Sequence, residues 1–171
     1  MKETVMEYIK ATEDDTEKVE YAKTADIASL TELRLAYLEE DHGRLSEDEI
    51  GIIRRDLPDY FKRNLNQNLF CYLVREREEI VACAFLLVVE KPMSPSFITG
   101  KTGTVLNVYT KPSCRHKGYA RQIMERLLAD AAAKHLSVVD LKSTEDGYRL
   151  YQSVGFVDDV PAYHLMKFVV L

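Results

Sequence analysis

Hydrophobic positions along the chain change their period several times, and each change marks an element. The run VEYAK at 19–23 is short and strand-like. Beyond it Ile27, Leu30, Leu33, Tyr37 and Leu38 recur at helical spacing, with Thr24 placed to cap the helix. SEDE at 46–49 is a capping box, in which Ser46 and Glu49 can each satisfy the other's exposed N–H. The stripe Ile50, Ile53, Leu57, Phe61 and Leu65 carries a second helix, which Pro58 should kink or split. LFCYLV and IVACAFLLVVE are β-type runs separated by REREE, the pattern of two adjacent antiparallel strands. KPMSPSFITGKTG reads as loop and 104–110 as the next strand. Ala120, Ile123, Met124, Leu127, Leu128 and Ala131 then line one face of a helix over 118–134. SVVDLKS is a strand, 148–153 is a short helix stopped by Gly155, and further strands are predicted around Phe156 and over 163–170. Residues 1–18 are charge-rich and predict a weakly structured extension.

The order β-α-α-β-β-β-α-β-α-β-β predicts one mixed α/β (α+β) domain over 19–171, without linker or internal repeat. The strand-helix-strand unit at 104–142 should cross over right-handed. A length of 171 residues suits a single domain with a sizeable core. Composition is ordinary, but a formal net charge of −5 argues against bulk attraction to nucleic acid or to an anionic membrane. Cys71, Cys83 and Cys114 are odd in number and lack metal or disulfide spacing, so reduced, packed thiols are expected and no metal site. No apolar run approaches the ~20 residues of a membrane span, and no apolar leader precedes the domain, which predicts a cytoplasmic protein. Apolar alternation near the C-terminus suits a sheet edge through which two copies pair as a homodimer.

Against that negative charge, the stretch NVYTKPSCRHKGYARQI at 107–123 crowds Arg115, His116 and Lys117 onto Gly118 between a strand and a helix. A helix start presents unpaired N–H groups at the positive end of its dipole, and an anion suits that place. Gly118 lets phosphate oxygens approach the backbone, Ala120 keeps the next turn small, and Arg115 and Lys117 add charge. A solvated basic turn is the alternative on this segment alone. The Walker pattern fails, since Pro95 stands where the first glycine belongs before GKT at 100–102. RNA binding through Lys111, Arg115, Lys117, Arg121 and Arg126 lacks interleaved stacking aromatics.

RHKGYA resembles the pyrophosphate motif Q/R-x-x-G-x-G/A of the GNAT superfamily of N-acetyltransferases. LNVYTKP is similar to that family's fourth strand, and LKSTEDGYRLYQSVGF to its strand-helix segment ending L-Y-x-x-x-G-F. The resemblance implies a central, mostly antiparallel mixed sheet with a splayed cofactor-binding edge, flanked by helices. It also implies acetyl-CoA as co-substrate and a primary amine, on a small molecule or peptide, that attacks directly in a ternary complex. By resemblance the backbone of Val108, Tyr109 and Thr110 aligns pantetheine. Arg115, His116, Lys117, Gly118, Tyr119, Ala120 and Arg121 then surround the pyrophosphate. Thr144 stands where many members place a CoA-binding asparagine. Tyr151 matches the family's general acid, and an unperturbed tyrosine with a pKa of ~10 is protonated and able to donate. Asn107 would orient water, there being no carboxylate on its strand to act as base. Glu39, Glu40, Asp41 and His42 follow the first helix, where they read first as an ordinary solvated helix end; the family builds its acceptor site there, and in that role they would favour a cationic amine. A non-catalytic acyl-CoA-binding module is the alternative, against which the retained Tyr151 counts.

Overall fold

The computed structural model describes residues 18–160, 164 and 166–170. Apart from Lys18, the expected N-terminal extension lies outside them. Strand β1 (Val19–Tyr21) leads through a 3-10 turn at Thr24–Asp26 into helix α1 (Ile27–His42) and then α2 (Glu47–Asn64). Strands β2 (Leu69–Glu76), β3 (Glu79–Glu90) and β4 (Lys101–Thr110) follow, then α3 (Tyr119–Ala133), β5 (Val138–Asp140) and α4 (Glu145–Ser153). The five strands form one sheet in chain order, antiparallel from β1 to β4, with β5 added parallel to β4. This is the mixed α/β architecture that the alternating periods predict.

Burial divides the helices between the two faces. Ile27, Leu30 and Leu33 of α1 and Phe61 of α2 pack with Cys71, Leu73, Ile80, Cys83, Phe85 and Tyr109 on one face. Ile123, Met124, Leu127 and Ala131 of α3 cover Tyr72, Val74, Leu86 and Val105 on the other, together with Cys114. All three cysteines are free and buried, and burial pushes the Cys83 thiol up to about 12. Such two-sided cover explains why β2 and β3 read as continuous apolar runs rather than as alternation.

Five expectations need correction. Thr24 does not cap α1; Asp26 accepts the Lys23 N–H instead, at 2.8 Å. Pro58 does not split α2, which runs unbroken from Glu47 to Asn64. The only backbone acceptor a proline there deprives is the carbonyl of Arg54, on an exposed turn that water can reach. The loop before β4 is shorter than expected, because Lys101 already pairs with Glu90. Finally, Phe156 enters no strand: its N–H donates to the Tyr151 carbonyl at 3.0 Å, closing the end of α4, and its ring packs on Tyr151. Residues 164 and 166–170 also take no strand, and the rest of the 163–170 expectation lies outside the described residues.

The Ser46–Glu49 capping box is present in both directions, with Ser46 N–H to Glu49 at 2.8 Å and Glu49 N–H to Ser46 at 3.3 Å. At the other end of the same layer, Asp26 is 8 % exposed and also accepts Arg75 Nη2 at 2.6 Å. Burial pushes its carboxyl up, but the Lys23 N–H and the Arg75 guanidinium outweigh that and hold it below the usual value. Asp26→Asn should therefore cost about 1.5–3 kcal/mol in urea unfolding at neutral pH. Because the folded-state pKa is depressed, the contribution is complete above the unfolded value of ~3.9 and is lost as pH falls through the folded one. The gap between wild type and variant should close in acid; a gap that persists unchanged at pH 2 would contradict the assignment.

Candidate active site

Strand β4 loses a partner halfway along. Only Thr102, Gly103 and Thr104 pair with β5, against Val138, Val139 and Asp140. From 105 to 110 the strand keeps β3 on one side, and no described strand pairs with its other edge. Within that free half lies a bulge. Cys83 faces Tyr109 and Phe85 faces Leu106, so Asn107 and Val108 together oppose Ala84. Asn107 takes φ +53°, a left-handed conformation that asparagine tolerates. The extra residue re-aims the side chains, sending Val108 to the α3 face and Tyr109 to the α1 face.

Past Thr110 the chain makes a 3-10 turn at Pro112–Cys114 and enters α3 through Gly118, at φ +83° and ψ 0°. A Cβ built there would meet nothing within 4 Å, so the space beside this backbone is open. No side chain caps α3 and no acidic residue occupies its first turn, whereas α2 and α4 have both. The start of α3 is thus the one of these three that lacks a protein acceptor. Two buried oxygens flank the turn without protein partners, Oγ1 of Thr110 and Oε1 of Gln122.

The basic side chains are not a free reserve of charge. Arg115 donates Nε to the Thr110 carbonyl at 3.0 Å and Nη2 to both Glu40 oxygens at 2.6 and 2.7 Å. Lys117 and the Tyr119 hydroxyl share Glu76 at 2.6 and 2.9 Å, and Arg121 meets Glu125 at 2.8 Å. His116 is exposed, with φ +62°, and Ala120 is half-buried. The cluster therefore holds the loop to α1 and to the end of β2.

Helix α4 starts at Thr144, whose Oγ1 accepts the Gly147 N–H at 3.3 Å. That local bond accounts for a threonine here without any cofactor contact. Gly147 has a second reason: a Cβ at this position would lie 2.9 Å from Cε2 of Tyr151. Tyr151 is half-buried and packs edge-on against Phe156 with centroids 6.0 Å apart. Burial, with Tyr37 adding to it, pushes the Tyr151 phenol up to about 12. Tyr37, Arg34 and Asp41 lie along one side of α1, and Tyr37 of that side is near enough to the Tyr151 phenol to raise its pKa.

The acceptor-side residues divide. Glu40 is taken by Arg115, Asp41 lies 3.3 Å from Nε2 of His42, and Glu39 is exposed. Asn107 is corrected more sharply. It is 2 % exposed, accepts Arg34 Nη1 at 3.2 Å and donates to Cys83 Sγ at 3.4 Å. An amide so enclosed has no open face on which to orient water; it fixes the bulge and a guanidinium. Arg34 was not singled out by sequence reasoning, although a cation on the stripe between Leu30 and Tyr37 is a readable signal. Among the described residues no group of His, Cys, Asp or Glu could hold a metal ion, and no helix is long and apolar enough to cross a membrane.

Known proteins share this fold. A predicted acetyltransferase from Clostridium acetobutylicum, solved with acetyl-CoA, superposes with a TM-score of 0.76 at 25 % identity, over 87 % of this chain and 94 % of its own. A GCN5-related N-acetyltransferase from Ralstonia eutropha JMP134 gives 0.73 at 25 % identity, over 88 % and 97 %. Glucosamine-6-phosphate N-acetyltransferase from Arabidopsis thaliana shares the fold, with a TM-score of 0.62 at 16 % identity over 88 % and 97 %. No curated protein sequence matches the chain significantly. The model of the acetyltransferase (GNAT) family matches residues 27–156, and with the half-paired β4 running into the glycine-led α3, this chain belongs to that family.

Proposed function

We propose that the protein is an acetyl-CoA-dependent N-acetyltransferase that delivers the acetyl group directly to a primary amine. The observation that carries this reading is the continuity of two unsatisfied backbone surfaces: the free half of β4 at 105–110 and the uncapped start of α3. A pantetheine arm is an extended diamide that pairs with a strand edge, and a pyrophosphate suits a helix N-terminus. The open space beside Gly118 fits phosphate oxygens. When bound, acetyl-CoA would supply the activated thioester. Backbone N–H groups around Val108 would polarise its carbonyl, as in an oxyanion hole. As the neutral amine nitrogen forms its bond to the carbonyl carbon, the carbon–sulfur bond would break and the sulfur would take a proton from the Tyr151 hydroxyl. The nitrogen's surplus proton would pass to water, and water would return one to the phenolate.

Arg115 and Lys117 would hold the loop through Glu40 and Glu76 while contributing positive potential to the phosphates. Acetyl-CoA at millimolar concentration should raise the melting temperature, since a ligand selective for the folded state stabilises it. Gly118→Val should abolish that shift, because the side chain would fill the open space and strain a backbone held at φ +83°. Normal acetyl-CoA binding by a folded Gly118→Val protein would reduce the loop to a basic turn.

Tyr151→Phe should keep acetyl-CoA affinity and lower kcat, by about 10²-fold at the low end of what a positioned acid contributes. With the phenol pushed up to about 12, the wild-type kcat profile should show no falling limb from Tyr151 below about pH 10. Full turnover by Tyr151→Phe, with chemistry rate-limiting, would make the residue a packing element only. Gly147→Ala offers an independent check. Alanine favours a helix by about 1 kcal/mol over glycine, yet here it must push the Tyr151 ring aside. Unchanged or higher melting temperature combined with reduced kcat is the expected signature.

A further inference from the structure

Four arginines of the described chain are half-buried: Arg34, Arg75, Arg115 and Arg126. Three of them sit on carboxylates, Arg75 on Asp26, Arg115 on Glu40 and Arg126 on Asp130. Arg34 does not. Its one hydrogen bond among the described residues runs from Nη1 to Oδ1 of Asn107, and its guanidinium lies 5.4 Å from the centroid of the Tyr37 ring. Asp41 attracts it only at longer range and is itself engaged with Tyr37 and His42. A guanidinium has five N–H donors, and desolvating it against a neutral amide is costly unless an anion completes the site.

Its place makes that carboxylate-free guanidinium informative. Arg34 lies on the sheet-facing side of α1, beside Leu30 and Leu33, which are 0 % and 5 % exposed. Asn107 fixes it at the β4 bulge, one residue before Val108 on the unpaired half of the strand. The Tyr37 ring against which it lies also adds to the burial that pushes the Tyr151 phenol up. Of the acidic residues of α1 that would have favoured a cationic acceptor, Glu40 is occupied by Arg115 and Asp41 by its neighbours, and Glu39 stands exposed.

We propose that Arg34 receives a carboxylate of the acceptor, so that the substrate is an amine carrying a carboxylate a few bonds from its nitrogen, as in an amino acid or a short peptide. This rests on the acetyltransferase reading above. A planar guanidinium matches a carboxylate in a two-point pairing. One cation, with Asp41 nearby, balances a monoanion better than a phosphate dianion. The carboxylate anchors the molecule at the α1 face and leaves its amine free to reach the thioester carbon.

The test pairs amino acids with their decarboxylated counterparts, adds dipeptides and phosphorylated amines, and reads thiol release with acetyl-CoA. Carboxylated acceptors should be used at least about 10-fold more efficiently than their decarboxylated partners. Dipeptides decide whether the carboxylate comes from a free amino acid or from a chain terminus. Arg34→Gln should raise the acceptor KM about 10- to 100-fold, the loss of one charge-assisted pairing, with acetyl-CoA affinity unchanged. Arg34→Lys should recover part of it and serves if Arg34→Gln folds poorly. Equal use of decarboxylated or phosphorylated amines, or an equal effect of Arg34→Gln on every acceptor, overturns the proposal. If no amine turns over, carboxylated amines must still add to the thermal shift of the CoA complex in wild type but not in Arg34→Gln, and failure to do so also overturns it. Failure of acetyl-CoA itself to bind would instead remove the transferase reading.

Discussion

The structure turns on a shortage of hydrogen bonds along one strand. Strand β4 has ten residues, and β5 accompanies it for only three. Backbone donors and acceptors in a sheet are nearly always paired, so a half-strand left open needs water or a ligand to complete it. The neighbouring features are consistent with keeping that edge open. The Asn107 bulge adds twist and ends regular alternation, while α4 and Tyr151 approach from the β5 side without adding a strand. Had β5 continued in register beyond Asp140, its own backbone would have filled the gap, leaving a complete sheet with no open edge.

Electrostatics in this region are balanced more closely than the basic sequence cluster suggests. Arg115 joins the end of β4, the loop and the end of α1 through one side chain, since it holds both the Thr110 carbonyl and Glu40. Exposed pairs contribute little to stability, and Arg115 and Lys117 are only partly shielded. Their role is better understood as geometry: they set the loop so that Gly118 presents its backbone outward. An anion arriving there would share these cations with Glu40 and Glu76, which makes its affinity sensitive to salt.

Much of this was legible in the chain. The capping box at Ser46, the β2–β3 hairpin and the strand-to-helix passage through Gly118 each depend on residues close in sequence, and the structure contains them. The misses have longer-range causes. Thr24 lost its capping role because Asp26 could bond both to Lys23 and to Arg75, 49 positions away. Pro58 suggested a break, but its missing N–H falls on an exposed turn. Asn107 looked available because a strand pattern does not reveal a bulge, and only the bulge buries its amide between Arg34 and Cys83. Arg34 was passed over as one cation among helical positions; its lack of a carboxylate is a property of the assembled fold.

The three buried thiols carry a practical consequence. Cys71 and Cys83 lie in the core beneath α1 and α2, whereas Cys114 packs beneath α3. Thiolate is the reactive form, and burial raises the pKa of both Cys71 and Cys83, so modification has to wait for the chain to open. The two faces thus carry separate chemical clocks. Labelling of intact protein, resolved by site, would time the loosening of the α1–α2 layer independently of the layer that carries the glycine-led helix.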